Sequence, residues 1–224
     1  MQPTLLTTGY NKVGLFQRKD TPTDNAPLYT LGSQKNILIV GLGNIGKEYD
    51  HTRHNVGFEA IDEFALHEGF SQWVEKKDLR CHITRHTIGD TNVILIKPTT
   101  YMNESGQAMF AVQNFYKIPC SSTLVIHDEI DIDFGQIRTR LGGGHAGNNG
   151  VKSVINHCGQ DFARIRIGIK NELASRMDSA NFVLAKFSSE EQRQLPKIIK
   201  EVSSILSEYI ATGNIGNDTR TIDR

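Results

Sequence analysis

The sequence predicts an α/β fold: a single domain built on a twisted mixed, largely parallel sheet flanked by helices. Three observations carry that expectation. Ile37-Leu-Ile-Val40 and Thr123-Leu-Val-Ile-His127 are too short for helices and too apolar for strands with one wet face, so both read as central strands. Stretches with a helical period lie between and beyond them, at 56–68, 105–116 and 151–157. Strands alternating with helices build a layered α/β domain. A chain of 224 residues suits one such domain, burying about 70% of its extended surface without a staple.

Residues 1–35 are rich in Thr, Pro, Asn, Gly and Asp and hold no period, which predicts a flexible N-terminal extension. Asp20 and Asp24 argue against an acidic-poor transit peptide. The folded domain is expected over 36–212. Its first strand breaks at Gly41, Gly43 and Gly46. Eight charged, aromatic, aperiodic residues then precede a helix over 56–68, with Asn55 as its N-cap. Strands over 79–86 and 92–97 flank Gly89-Asp-Thr91, a hairpin signal. A loop at 98–103 leads into the helix at 105–116. The strand Thr123–His127 is expected to end in an acidic turn, Asp128–Asp133. Residues 136–141 alternate as a strand, with Arg138 and Arg140 on one face. The glycine loop 142–150 opens the next helix at Asn149 or Gly150, and a strand over 162–169 follows. Ser188-x-x-Glu191 is a capping box, and Pro196 is expected in the first turn of a final helix over 197–211. Residues 213–224 read as a polar tail.

Composition excludes several function classes. Lys and Arg total 25, as do Asp and Glu, so no bulk field draws the chain to nucleic acid or membrane. No apolar run nears the ~18 residues of a membrane helix. Cys81, Cys120 and Cys158 form no CxxC pair, which points to a reducing compartment and away from a zinc site. The charge is unevenly placed, however. Between Ile137 and Lys186 eight cations stand against three anions, either a solvated basic face or a phosphate-binding one.

Reactive groups gather at strand ends: Asn44 and His54 after the first, Asn103 after the third, Asp128 after the fourth, with Asn149 on the glycine loop. Gly41-x-Gly-x-x-Gly46 matches a dinucleotide loop. Yet the helix of such a unit opens inside the glycines, and here it starts well beyond them. A metal set of His54, Asp128 and His145 has no ligand-like local spacing. The remaining reading is hydrolytic. A histidine oriented by a carboxylate removes a proton from water near neutral pH, and asparagine amides hold water or an oxyanion. No GxSxG elbow is present, so water is the simplest nucleophile. Residue chemistry alone leaves Tyr49, His51 and His127 as packing or surface groups.

Four motifs carry a resemblance: Gly41-Leu-Gly-Asn-Ile-Gly-x-x-Tyr49-x-x-Thr-Arg-His-Asn55, Lys97-Pro-Thr-Thr-Tyr-Met-Asn-x-Ser-Gly106, His127-Asp-Glu-Ile-Asp131 and Leu141-Gly-Gly-Gly-His-Ala-Gly-Asn-Asn-Gly150. With them the chain resembles the bacterial-type peptidyl-tRNA hydrolase family from about Asn36 to Ala211. The resemblance implies cleavage of the ester joining a peptide to the 3′-terminal ribose of tRNA. It implies His54 as general base, Asp128 as its orienting carboxylate and Asn44 as holder of the water or the tetrahedral intermediate. Tyr49, Met102, Asn103, Asn148 and Asn149 would bind substrate, and Arg140 and Arg166 the tRNA phosphates. It further implies a cytoplasmic monomer with no metal or cofactor. Three positions depart from the family pattern: Ile45 stands for a proline, Asn148 for a histidine, and Gly168-Ile-Lys-Asn171 for Gly-Ile-Gly-Arg-Pro. Non-catalytic RNA-binding relatives, of the kind that partner splicing, share the fold and are the alternative.

Overall fold

The computed structural model describes residues 35–222. The expected extension at 1–35 lies outside the described residues except for Lys35. One sheet holds eight strands: β1 (Lys35–Gly41), β2 (Val74–Lys76), β3 (Cys81–Ile88), β4 (Thr91–Pro98), β5 (Thr123–Asp133), β6 (Gln136–Leu141), β7 (Ala163–Lys170) and β8 (Thr219–Thr221). Their order is β2-β3-β4-β1-β5-β7-β6-β8. β1 runs parallel to β4 and β5, and β5 runs parallel to β7. Both flanks are antiparallel. The sheet is therefore mixed, and its parallel part is the central four strands.

Helices cover both faces because each central strand is apolar on both sides. Ile37 and Ile39 of β1 face α1 (Val56–His67) and α5 (Ser189–Thr212), whereas Leu38 and Val40 face α2 (Ser105–Tyr116) and α3 (Asn149–Cys158). All four side chains are fully buried, and each such burial stabilises the fold by about 1.5–3 kcal/mol. α5 follows from its stripe, in which Leu195, Ile198, Ile199, Val202, Ile205, Leu206 and Tyr209 are buried.

Three elements differ from expectation. β5 runs on through Asp133, so Asp128 and Glu129 are buried strand residues instead of a wet acidic turn. α5 starts at its capping box, and Pro196 sits inside the helix instead of in its first turn. The missing proline N–H costs one ladder bond, which the packed stripe outweighs. The expected polar tail folds back as edge strand β8 on β6. Arg220 anchors it by pairing with Glu201, Glu208 and Asp218. A three-residue polar strand has no hydrophobic alternation to announce it.

Parallel strands bring their C-terminal ends to one edge of the sheet, where α/β folds place ligands. Here α1 presses directly on the strand ends. A Cβ added to Gly57, in its first turn, would lie 2.5 Å from the Ile126 carbonyl oxygen and 2.6 Å from that of Leu42. A Cβ on Gly41 would lie 2.5 Å from the Gly57 carbonyl oxygen. Only backbone fits in this contact, and it sets the residues just before α1 beside the middle of β5. Gly→Ala inside a helix ordinarily gains about 1 kcal/mol. Gly57→Ala is instead expected to lose about 1–3 kcal/mol to overpacking, measured as a lower denaturant midpoint at unchanged m-value. A stabilised variant would contradict the close approach.

Candidate active site

His54 lies in a short 3-10 turn, Arg53–Asn55, that leads into α1. Its Nδ1 lies 2.8 Å from Asp128 Oδ2. Both side chains are buried, His54 at 8% exposure and Asp128 at 2%. A buried carboxylate needs donors for its lone pairs, and Asp128 has two side-chain partners. The second is Asn148, whose Nδ2 donates to Asp128 Oδ1 at 2.9 Å and to the Asp128 backbone oxygen at 3.2 Å. Burial alone would lower the pKa of His54. The Asp128 charge and hydrogen bond outweigh burial, so the net shift is upward from 6.5. With Nδ1 committed to Asp128, Nε2 is the imidazole nitrogen left for chemistry. His54 and Asp128 line a cleft of about 440 Å³ together with Ala146–Asn149 and with Asp178, Ser179, Ala180 and Val183. The last of these belong to α4 (Ser179–Leu184), capped by the Asp178 carboxylate.

Asn44 is held from three directions. Its backbone N–H donates to Asn55 Oδ1 at 2.8 Å, and its carbonyl accepts from Asn55 Nδ2 at 2.9 Å. Its own Oδ1 accepts from the Met102 backbone N–H at 2.7 Å. Asn55 was expected to cap α1. Its side chain is spent on Asn44 instead and makes no cap bond. The Asn44 amide is thereby oriented with its oxygen occupied and its Nδ2 as the free donor. Met102 is buried, and Asn103 beside it is exposed. Tyr49 meets Tyr101 edge-on at 6.4 Å. Asn149 is exposed and lines the cleft.

The structure shows which candidate side chains are already engaged. Asn148 does not present a free amide to substrate, because its Oδ1 also accepts from Val151 N–H at 3.1 Å and caps α3. Asn44 and Asn103 are not among the residues lining the His54 cleft; Asn44 adjoins it through Asn55, which follows His54 in the same turn. His145 does not join His54 and Asp128. It is exposed, and its Nδ1 accepts from Gly147 N–H within its own loop. No helix opens at Gly46, since only a short 3-10 turn over Lys47–Tyr49 follows it, so the dinucleotide reading falls.

Two buried groups adjoin the site: His127, expected as a packing or surface group, and Arg53, which sequence reasoning did not single out. His127 is fully buried, with Nδ1 at 2.6 Å from the Asp128 backbone oxygen. Its Nε2 accepts from Arg164 at 2.9 Å, so the proton sits on Nδ1. Burial and the Arg164 charge hold its pKa well below the usual value. Arg164 continues to the Gly144 carbonyl at 2.7 Å and ties the glycine loop to β7. The second group is Arg53, 1% exposed and next to His54. It lies over the rings of Phe182 and Phe187 and donates to Glu191 Oε2 at 2.7 Å. Glu191 also accepts from Asn171 Nδ2 and Ser188 N–H. The pair thus fastens the His54 turn to α4 and α5. Sequence offered only the capping-box signal for Glu191.

A basic strip flanks the site. Arg138 is opposite Arg166 across β6 and β7, and Arg140 is opposite Arg164. Like charges paired directly across strands are destabilising. Burial, ahead of its charged neighbours, lowers the Arg166 pKa, and the Nε atoms of Arg138 and Arg166 are buried without a partner among the described residues.

Removing one member of a buried ion pair leaves the other charge stranded. Glu191→Ala is therefore expected to cost about 3–5 kcal/mol, read by chemical denaturation. A loss under about 1 kcal/mol, the range of an exposed pair, would contradict the anchoring role.

Comparison with known proteins agrees with this geometry. The sequence model of the Peptidyl-tRNA hydrolase family matches residues 38–223. A peptidyl-tRNA hydrolase of Aliarcobacter butzleri is 43% identical over 178 residues, 80% of this chain and 93% of that protein. A mitochondrial peptidyl-tRNA hydrolase of Oryza sativa is 45% identical over 166 residues, 73% of this chain and 65% of its own length. The crystal structure of peptidyl-tRNA hydrolase from Acinetobacter baumannii superposes with a TM-score of 0.73 at 36% identity, covering 80% of this chain and 90% of that one. With the family model spanning nearly all of the folded part, the chain belongs to the peptidyl-tRNA hydrolase family.

Proposed function

We propose that the protein hydrolyses the ester between a peptide and the 3′-terminal ribose of tRNA, using water activated by His54. The observation that carries this reading is the buried His54–Asp128 pair at 2.8 Å, both members of which line the cleft. His54 Nε2 takes a proton from water as the oxygen attacks the ester carbonyl carbon. Asp128 stabilises the imidazolium and keeps the tautomer correct, as in a triad without its serine. The Asn44 Nδ2 donor fits the oxyanion that forms, because its Oδ1 is already bound by Met102. Collapse of the tetrahedral intermediate breaks the bond to the ribose oxygen. His54 then returns its proton to that oxygen.

Tyr49, Met102, Asn103 and Asn149 are proposed to hold the peptide and the terminal adenosine. Arg140 and Arg166 are proposed to meet the tRNA phosphates. The opposed arginines support this, since an anion relieves their mutual repulsion. A protein of zero net charge thereby gains a local phosphate site. No metal, cofactor or second subunit enters these steps. Among the described residues no helix is long and apolar enough to cross a membrane. The cysteines are free, with burial pushing Cys81 and Cys158 up to about 12. We place the enzyme in the cytoplasm, where reduced thiols and peptidyl-tRNA occur together.

Purified protein should release tRNA from N-acetylaminoacyl-tRNA, and His54→Ala should lose about 10²–10⁴-fold in kcat. Wild-type RNA binding without turnover would instead favour the non-catalytic alternative. The base works only when neutral. A His54 pKa raised above 6.5 therefore puts the acid limb of kcat/KM above pH 6.5, with activity falling as pH drops through it. Asp128→Asn removes the two raising effects and leaves burial, so its acid limb should move down while the maximal rate falls. An unmoved limb would show that another group titrates. The double variant Arg140→Ala/Arg166→Ala should weaken tRNA substrates by raising KM and making its salt dependence shallower, while sparing a peptidyl-adenosine mimic. Equal damage to both substrates would make these arginines structural.

A further inference from the structure

Asn148 makes contacts of a different kind from those expected of a substrate-binding residue. It is only 9% exposed. Its Nδ2 is bound to the Asp128 carboxylate and backbone oxygen, and its Oδ1 to Val151 N–H. A substrate group could engage this amide only by displacing one of those partners. The backbone N–H of Asn148 is also occupied, donating to the His145 carbonyl at 2.8 Å. The residue stands where the glycine loop gives way to α3, whose Val151 and Val154 are fully buried.

We propose that Asn148 is a positioning residue that clamps the Asp128 carboxylate, so that the other oxygen stays aimed at His54 Nδ1. This rests on the hydrolytic reading above. A carboxylate with a single donor is free to rotate about its last torsion, which is broad and roughly two-fold. His54 holds Oδ2 and Asn148 holds Oδ1, which fixes the plane of the group. The clamp is mounted on a helix cap, so α3 serves as its foundation. An amide does not titrate near neutral pH, so the clamp keeps its donor across the working range. The histidine common in the family at this position would change its charge there.

Asn148→Asp separates the clamp from the cap. Aspartate caps a helix as well as asparagine does, but it faces the Asp128 carboxylate with an oxygen in place of an N–H. The other ionisable groups around the pair are Glu129 and His127 on β5, Arg164 on β7 and Asp178 at the start of α4. The substitution changes none of them. An added anion favours the imidazolium form of His54.

The test uses the full chain with N-acetylaminoacyl-tRNA. Asn148→Asp is expected to lower kcat by about 10- to 100-fold, short of the full loss of a general base. KM should stay near wild type, the thermal midpoint should fall because two carboxylates then share a buried site, kcat being read below that midpoint, and the acid limb should move to higher pH. Asn148→Ser also caps well but is too short to reach Asp128, and it should lower kcat without an added charge. Wild-type kcat in both variants overturns the clamp. A raised KM at unchanged kcat also overturns it and makes Asn148 a substrate contact. An NMR titration of His54 reads the clamp without turnover. The midpoint should rise in Asn148→Asp, and an unmoved midpoint overturns the proposal even if wild-type protein proves inactive on peptidyl-tRNA.

Discussion

The site depends on one buried carboxylate. Asp128 is 2% exposed midway along the central strand β5, where an unpaired charge would cost several kcal/mol. The protein must supply donors there, and each donor recruits a different part of the fold. His54 comes from the turn before α1 and Asn148 from the cap of α3, while His127, backed by Arg164, holds the Asp128 backbone oxygen. The contact between α1 and the strand ends is what brings the first of these within reach. Gly41 and Gly57 permit it by having no side chains. Packing and chemistry are therefore set by the same few residues.

The surrounding electrostatics show how a chain of zero net charge can still present a sharply charged site. Four arginines face one another across β6 and β7. One of them, Arg164, is turned inward to neutral His127, and burial lowers its pKa to about 10. The strip thus runs from a buried structural member to an exposed one. Its fully buried member connects the glycine loop and the catalytic strand, and the more exposed Arg140 marks its outer edge.

Much of the fold was legible because periodicity is local. The helix at 105–116 is observed over those residues, and the capping box at Ser188 and Glu191 forms both of its bonds. The central strands were readable from β1 and the start of β5, whose side chains are buried on both faces. What was missed depends on distant partners. β8 is a strand only because β6 has a free edge. The extension of β5 past His127 depends on pairing with β7, where Asp128 lies beside Ile167 and Glu129 beside Gly168. The same applies within the site. Four motifs marked His54, Asp128, Asn44 and Asn149, but no local pattern could pair Arg53 with Glu191 or turn Asn148 from substrate toward Asp128. The Asn55 side chain shows the limit most plainly. Its position before α1 suggested a cap, and tertiary structure gave it to Asn44.

The central claim is that Asp128 holds His54 as a neutral base with its proton on Nδ1 and its Nε2 free. The most direct measurement is a ¹⁵N-edited NMR titration of the His54 imidazole in the intact wild-type protein. The account predicts a midpoint above 6.5 and, above that midpoint, chemical shifts of the Nδ1–H tautomer. A midpoint at or below 6.5, or a neutral form protonated on Nε2, would contradict it.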